Sequence, residues 1–143
     1  VERGTETVQN AVQTDRASDV KKARSIAKDS GSNELKHSEY LRAAAWRAGD
    51  KMLMEVFDDV AYYAGIFQKE HFRLIEIAVK TEMQGKGYGR MMMRRIIQKC
   101  RAKGIHRITL RTSAEETAHE FYKKFGAVVT GLHDGDYEME IRI

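Results

Sequence analysis

The 143-residue chain contains no proline and a single cysteine, Cys100. One cysteine excludes a disulfide framework and any zinc module built on several thiolates. Long hydrophobic runs are missing too: no stretch approaches the roughly 18 apolar residues that a membrane-spanning helix needs. The opening VERGTETVQN is polar and lacks the apolar core of a signal peptide. These absences lead to the expectation of a soluble, cytoplasmic protein. The five histidines, His37, His71, His106, His119 and His133, show no ligand spacing of the H-x-x-x-H kind, so no metal site is expected. Asp134-Gly135-Asp136 reads as a hairpin turn rather than a fragment of a calcium loop. Repeats, low-complexity tracts and linkers are absent, and one domain is expected over 1–143.

What is present suffices for a core. A domain of this length buries roughly 68–70% of the surface its unfolded chain exposes, so it holds without covalent staples. Lys and Arg number 25 against 21 Asp and Glu, a net +4 that hides an uneven distribution. Residues 73–107 carry 10 basic and 2 acidic side chains, whereas 115–143 carry 3 basic and 7 acidic. The basic middle is the natural place for an anion, and the acidic C-terminal part mildly favours a cationic partner.

Hydrophobic spacing gives the order β-α-α-β-β-β-α-β-α-β-β. A weakly alternating strand is expected at 6–13, then a helix capped by Ser18 or Asp19 with Val20, Ala23 and Ala27 on one face. Ser32 or Asn33 opens a second helix, with Leu41, Ala44, Ala45 and Ala48 in phase. Strands follow at 51–57, 60–68 and 71–79, joined by turns at Asp58-Asp59 and Lys69-Glu70. A helix of about 15 residues with Met92, Met93, Ile96, Ile97 and Cys100 on its apolar stripe then runs to Gly104. A strand at 106–112, a helix at 114–125, and strands at 127–132 and 136–142 complete the chain. Helices interspersed in a mostly antiparallel sheet make the fold class mixed α/β (α+β).

The most informative segment is IAVKTEMQGKGYGRMMM at 77–93. A strand ends at Val79, and Gly85, Gly87 and Gly89 lead into a helix. Glycines at such a junction permit positive φ and close backbone approach, so successive N–H groups can converge on one anion. The helix N-terminus adds unpaired N–H groups and partial positive charge, with Lys86 and Arg90 as flanking cations. The segment is therefore a phosphate or pyrophosphate cradle. It is neither of the two best-known ones. G-x-G-x-x-G fails because position 90 is arginine, and G-x-x-x-x-G-K-[ST] fails because Gly87 follows Lys86.

Gln84-Gly85-Lys86-Gly87-Tyr88-Gly89 resembles the [QR]-x-x-G-x-[GA] loop of the GNAT superfamily of acyl-CoA N-acyltransferases. Met92 and Met93 stand where that family usually has a Leu-Leu pair, and EETAHEFYKKFGA at 115–127 is similar to its "A…FY…GF" segment. The element order also agrees. The resemblance implies a GNAT-type fold and an N-acetyltransferase that moves the acetyl group of acetyl-CoA to a primary amine of a small molecule, peptide or protein. Its alternative is an acyl-CoA-binding regulatory module without turnover. The implied partners are acetyl-CoA, as co-substrate, and the amine, with no nucleic acid and no membrane. A homodimer is the oligomeric state to test.

The resemblance also distributes roles. The pyrophosphate lies on the amides from Gly85 to Arg90, including Lys86, Gly87, Tyr88 and Gly89, with Gln84 orienting the loop. The pantetheine arm pairs with the backbone of Ile77, Ala78 and Val79, where two strands splay apart. Tyr122 takes the position of the family's general acid, which protonates the leaving sulfur. A lysine-like amine is neutral in only about one molecule in 2,500 at pH 7, a cost of about 4.6 kcal/mol. A base is therefore implied. The family's strand glutamate would fall at Ile75 or Arg73, and Glu76 is one residue out of phase. Strand side chains alternate, so Glu76 is expected to face the wrong side unless a bulge re-aims it. His71, a water chain and a carboxylate from 136–140 are its competitors. Glu115 stands where an asparagine is often found. Cys100 is expected to be a core residue, while Tyr40, Trp46 and Tyr62 are expected in packing or along the acceptor pocket.

Overall fold

The strand pattern of 51–79 folds as two successive hairpins. β1 (Met52–Phe57) pairs antiparallel with β2 (Ala61–Phe67), which pairs antiparallel with β3 (Phe72–Val79). The first turn needs left-handed backbone at two adjacent residues. Asp58 and Asp59 supply it at φ 52° and 55°, and aspartate tolerates that region better than most side chains. The coordinates are a computed structural model, and the structure describes residues 16–29 and 51–143. The strand expected at 6–13, the helix opened by Ser32 or Asn33, and Tyr40 and Trp46 lie outside the described residues.

The remaining elements are α1 (Arg16–Asp29), α2 (Tyr88–Ala102), β4 (Arg107–Ser113), α3 (Ala118–Lys123), β5 (Val128–His133) and β6 (Asp136–Arg142). Six strands form one sheet in the order β1-β2-β3-β4-β6-β5. Every neighbouring pair is antiparallel except β3 and β4, which run parallel. This is the mixed, mostly antiparallel arrangement expected from the sequence. Among the described residues no helix is long and apolar enough to cross a membrane.

Period-2 burial divides the sheet between two helical layers. Met52, Met54, Val56, Tyr62, Ala64 and Ala78 face α1, which presents Ala23, Ile26 and Ala27 at helical spacing. Phe57, Tyr63, Phe72, Leu74, Ile108, Leu110, Met139 and Ile141 face α2 and α3. The α2 stripe of Met92, Met93, Ile96 and Cys100 is fully buried there, each long side chain contributing roughly 1.5–3 kcal/mol on leaving water. Cys100 is thus a core residue, and burial pushes its thiol up to about 11.

The helix expected to be capped by Ser18 or Asp19 begins before both, at Arg16, and two further local expectations change. The helix expected over 114–125 is only Ala118–Lys123. The preceding residues are claimed by β-structure: Ala114 N–H donates to Gly135 O of the β5–β6 turn, and Glu115 N–H to Ser113 Oγ. The second departure is a β-bulge in β3. Ala64 pairs with Glu76 but the adjacent Gly65 pairs with Leu74, so Ile75 is an extra residue. Phe72 and Leu74 face α2 before the bulge; Ile77 and Val79 face it afterwards, and Ala78 turns to α1. Gly65 permits this close approach, since a Cβ there would meet the Phe72 ring at 2.2 Å.

Candidate active site

β3 and β4 hold together at one end only. Their pairing consists of Phe72 with Ile108 and Arg73 with Thr109. From Leu74 to Val79 the β3 edge has no β4 partner, so the sheet opens into a gap. The chain leaves that gap through a short 3-10 turn, Thr81–Met83, and the glycine loop, and then enters α2.

The loop backbone follows from its glycines. Gly85 and Gly87 lie in the left-handed region, at φ 77° and 92°, and Gly87 is the N-cap of α2. No side chain caps the helix, and its first backbone bond runs from Met91 N–H to Gly87 O. The N–H groups of Tyr88, Gly89 and Arg90 therefore have no partner inside the helix. Gly89 has a different role from the one expected of the three glycines together. Its φ is not positive, and a Cβ there would press on the Phe121 ring at 3.2 Å. Two glycines shape the loop and the third lets α3 approach.

The loop is tied down from three directions. Gln84 Nε2 donates to Val79 O at 3.1 Å, joining the loop to the end of β3. Thr81 N–H donates to Asp29 Oδ2 at 2.8 Å, and its hydroxyl donates to Asp29 O at 2.9 Å, at the end of α1. Tyr88 donates to Asp58 Oδ2 at 2.9 Å in the β1–β2 turn. Such ties fix a backbone cradle in advance, which lowers the ordering cost of binding.

A cleft of about 900 Å³ lies between loop, gap and α3. Ile77, Val79, Gln84, Gly85, Gly87, Tyr88, Gly89, Arg90 and Tyr122 line it, so most residues picked from the sequence meet there. Ala78 and Glu76 do not line it and turn toward α1; Lys86 is exposed on the loop outside the lining. The sequence reading missed Arg94, Phe121, Lys124 and Phe125, which also line the cleft. Arg94 was within reach, because it follows Arg90 by four residues and shares its helix face. Among the described residues, Arg90, Arg94 and Lys124 make no salt bridge, whereas Arg73, Arg95, Arg107, Arg111 and Arg142 all do.

Tyr122 is buried at the cleft wall. Burial, and then the nearby Glu76 charge, raise its pKa well above the ordinary tyrosine value, so its hydroxyl stays protonated. Glu76 is also buried, and the bulge places it on the α1 side, level with Ala64. This is the re-aimed side of β3, not the one strict alternation gives. Tyr62, expected in packing or along the acceptor pocket, is fully buried and donates its hydroxyl to Glu76 Oε2 at 2.6 Å.

The competing bases are placed elsewhere or engaged. His71 precedes β3 at its opposite end, six residues from Ile77 and so roughly 20 Å along the strand. Its pKa is lowered by burial and by Arg107 and Arg73. Glu138 forms a two-pronged pair with Arg73, Glu140 pairs with Arg107 and Arg142, and Asp136 pairs with Arg111. Among the described residues no three His, Cys, Asp or Glu side chains converge as metal ligands.

No curated protein matches this chain. Among solved structures it is similar to the PaiA N-acetyltransferase of Thermoplasma acidophilum in complex with coenzyme A, with TM-score 0.74 and 18% identity over 88% of this chain and 94% of that one. It is similar to the ribosomal-protein-S18-alanine N-acetyltransferase of Escherichia coli, with TM-score 0.71, 19% identity and 88% of each chain covered. The Arabidopsis thaliana Naa50 complex with the bisubstrate analogue CoA-Ac-MVNAL gives TM-score 0.60 and 20% identity, over 73% of this chain and 81% of that one. At these identities the likeness is one of fold. The acetyltransferase (GNAT) family profile, however, matches residues 20–127 of the sequence itself, including β3, the glycine loop, α2 and Tyr122. The chain belongs to the GNAT acetyltransferase family and is an N-acetyltransferase.

Proposed function

We propose that this enzyme transfers the acetyl group of acetyl-CoA to a primary amine of a small molecule, peptide or protein by direct attack. The observation that carries the reading is the meeting, in one cleft, of loop amides without a partner among the described residues, the open edge of β3 and Tyr122. The diphosphate of CoA lies on the amides from Gly85 to Arg90, with Lys86 and the rim cations Arg90, Arg94 and Lys124 neutralising its anionic end. The pantetheine arm extends along Ile77, Ala78 and Val79 as an added strand. A β3 N–H then polarises the thioester carbonyl, the kind of contact that supplies the largest single catalytic contribution in acyl transfer.

The amine nitrogen forms a bond to the carbonyl carbon, whose π electrons move onto oxygen. As the carbonyl reforms, the carbon–sulfur bond breaks and the electron pair leaves with sulfur. An ammonium acceptor sheds two protons in becoming an amide. Glu76 takes the first and passes it to solvent; the second leaves the nitrogen for solvent as the carbon–sulfur bond breaks. Tyr122 protonates the departing sulfur and its phenolate regains a proton from solvent, so one proton is released per turnover. The motive for a binding module without turnover was the missing strand glutamate; the bulge at Ile75, which puts Glu76 on the α1 side of β3, supports turnover instead.

Calorimetry with CoA tests the cradle, and the expected result is one-to-one binding. CoA release from acetyl-CoA, followed across polyamines, amino acids, aminoglycosides and peptides, tests the chemistry. Glu76→Gln is expected to lower kcat by about 10²–10⁴-fold, the usual contribution of a positioned proton carrier. Tyr122→Phe is expected to lower kcat with the KM for acetyl-CoA little changed. Failure of CoA to bind the intact protein overturns the reading entirely.

A further inference from the structure

The bulge turns Glu76 toward the α1 side of β3 but does not by itself fix where its carboxylate points. A glutamate has three rotatable side-chain bonds, and the last is broad rather than confined to staggered wells. A general base, in contrast, needs its oxygen within about 2.6–3.2 Å of the proton it takes. Something must hold it. Across the bulge, Tyr62 pairs with Ala78 and Ala64 with Glu76, so Tyr62 and Glu76 share a face two residues apart. The Tyr62 ring is itself fully buried, in the cluster that holds Ala23, Ile26, Met54 and Val56. Its hydroxyl meets Glu76 Oε2 at 2.6 Å, the short separation typical of a bond to an ionised carboxylate.

We propose that Tyr62 is a positioning residue for acyl transfer, its hydroxyl pinning one oxygen of Glu76 so that the carboxylate is held in the orientation that takes the acceptor's proton. The proposal rests on the reading of Glu76 as proton acceptor. Tyr62 touches no substrate, because it is fully buried. A phenol suits this role because it is a neutral donor, able to hold the carboxylate without adding a cation beside the incoming ammonium. Burial first, then the Glu76 charge and the hydrogen bond, keep that hydroxyl protonated beyond the ordinary tyrosine range, so the pin stays in place at working pH.

The test is a double-mutant cycle on the full chain with Tyr62→Phe, Glu76→Gln and both together. Thiol release from acetyl-CoA is measured with spermidine and an alanyl tripeptide as acceptors, and with water alone. Tyr62→Phe is expected to lower kcat about tenfold, the scale of one hydrogen bond to a charged group, with unchanged KM and CoA affinity. The double variant is expected to be no slower than Glu76→Gln, because Tyr62 acts through the carboxylate. A core packing role would instead multiply the two losses. Multiplied losses, or wild-type turnover in Tyr62→Phe, overturn the Tyr62 role and leave the Glu76 reading standing. Wild-type turnover in Glu76→Gln removes the base, and the proposal with it. If Tyr62→Phe fails to fold, the double variant, which removes the hydroxyl together with the buried carboxylate charge, still decides by comparison with Glu76→Gln.

Discussion

Tyr62 and Tyr63 are consecutive residues of β2, and each donates its hydroxyl to a buried glutamate on the opposite side of the sheet from the other. On the α2 face, Tyr63 meets Glu55, which is fully buried and also gripped by Arg95 Nε at 2.8 and 2.7 Å, with Lys99 Nζ at 3.8 Å. On the α1 face, Tyr62 meets Glu76 at the bulge, where the β3 edge opens into the gap. The same side-chain pair thus serves two ends. Wedged between β1, β2 and α2 and engaged by two cations, a carboxylate is a tie. On the unpaired stretch of β3, after a bulge, it is the one we propose for chemistry. Local surroundings, rather than residue type, separate the two roles.

The hardest test of that contrast is Glu55→Ala. It strands the Tyr63 hydroxyl in the interior and leaves the largely buried Arg95 charge unpaired, and breaking a buried pair in this way costs about 3–5 kcal/mol. The expected fall in Tm is roughly 6–20 °C by calorimetry, with kcat of the remaining folded enzyme close to wild type. A loss of kcat at unchanged Tm would place Glu55 in the chemistry and erase the distinction.

Alkaline unfolding comes next in size. Burial first, then the neighbouring glutamate, raises the pKa of both Tyr62 and Tyr63 above 10. Above that value the unfolded chain loses these protons while the folded one keeps them. Stability that is intact below pH 10 therefore declines as pH rises, by about 1.4 kcal/mol per unit for each tyrosine. Urea unfolding measured from about pH 9 to 11 should show this slope. Tyr62→Phe and Tyr63→Phe should each flatten it by one such increment, since both hydroxyls are held in the same way whatever their function.

The smallest effect concerns another adjacent pair, Arg94 and Arg95. Arg94 lines the cleft without a salt bridge among the described residues, whereas Arg95 is committed to Glu55. Arg94→Ala is expected to weaken acetyl-CoA binding only about two- to fivefold, as for an exposed charge contact, and less at high salt. Arg95→Ala is expected to lower Tm with little change in affinity. Exchange of those two outcomes would reverse the assignment.

Much of this architecture is written locally. Gly85 and Gly87 take left-handed backbone, and Met92, Met93, Ile96 and Cys100 recur at helical spacing, so loop and helix are both visible in one stretch of sequence. Glu76 is the opposite case, because strand alternation taken alone points it the wrong way. Its one local sign is Gly65, a glycine inside the apolar strand AYYAGIF, where an interior glycine marks a bulge or a close backbone approach. The partners of Glu55 were out of reach for another reason. Arg95 is forty residues away and belongs to a charged helix face that reads as solvated until β1 is laid against it.

The amino-acid order by itself determined the element types, the two-layered patterning and the glycine loop at the start of α2, because backbone freedom at glycine and side-chain periodicity act over a few residues. Only the tertiary structure decided which acidic side chain stands at the gap and which is locked against α2. That choice depends on the register between β2 and β3, where one extra residue reverses the face of every side chain after it.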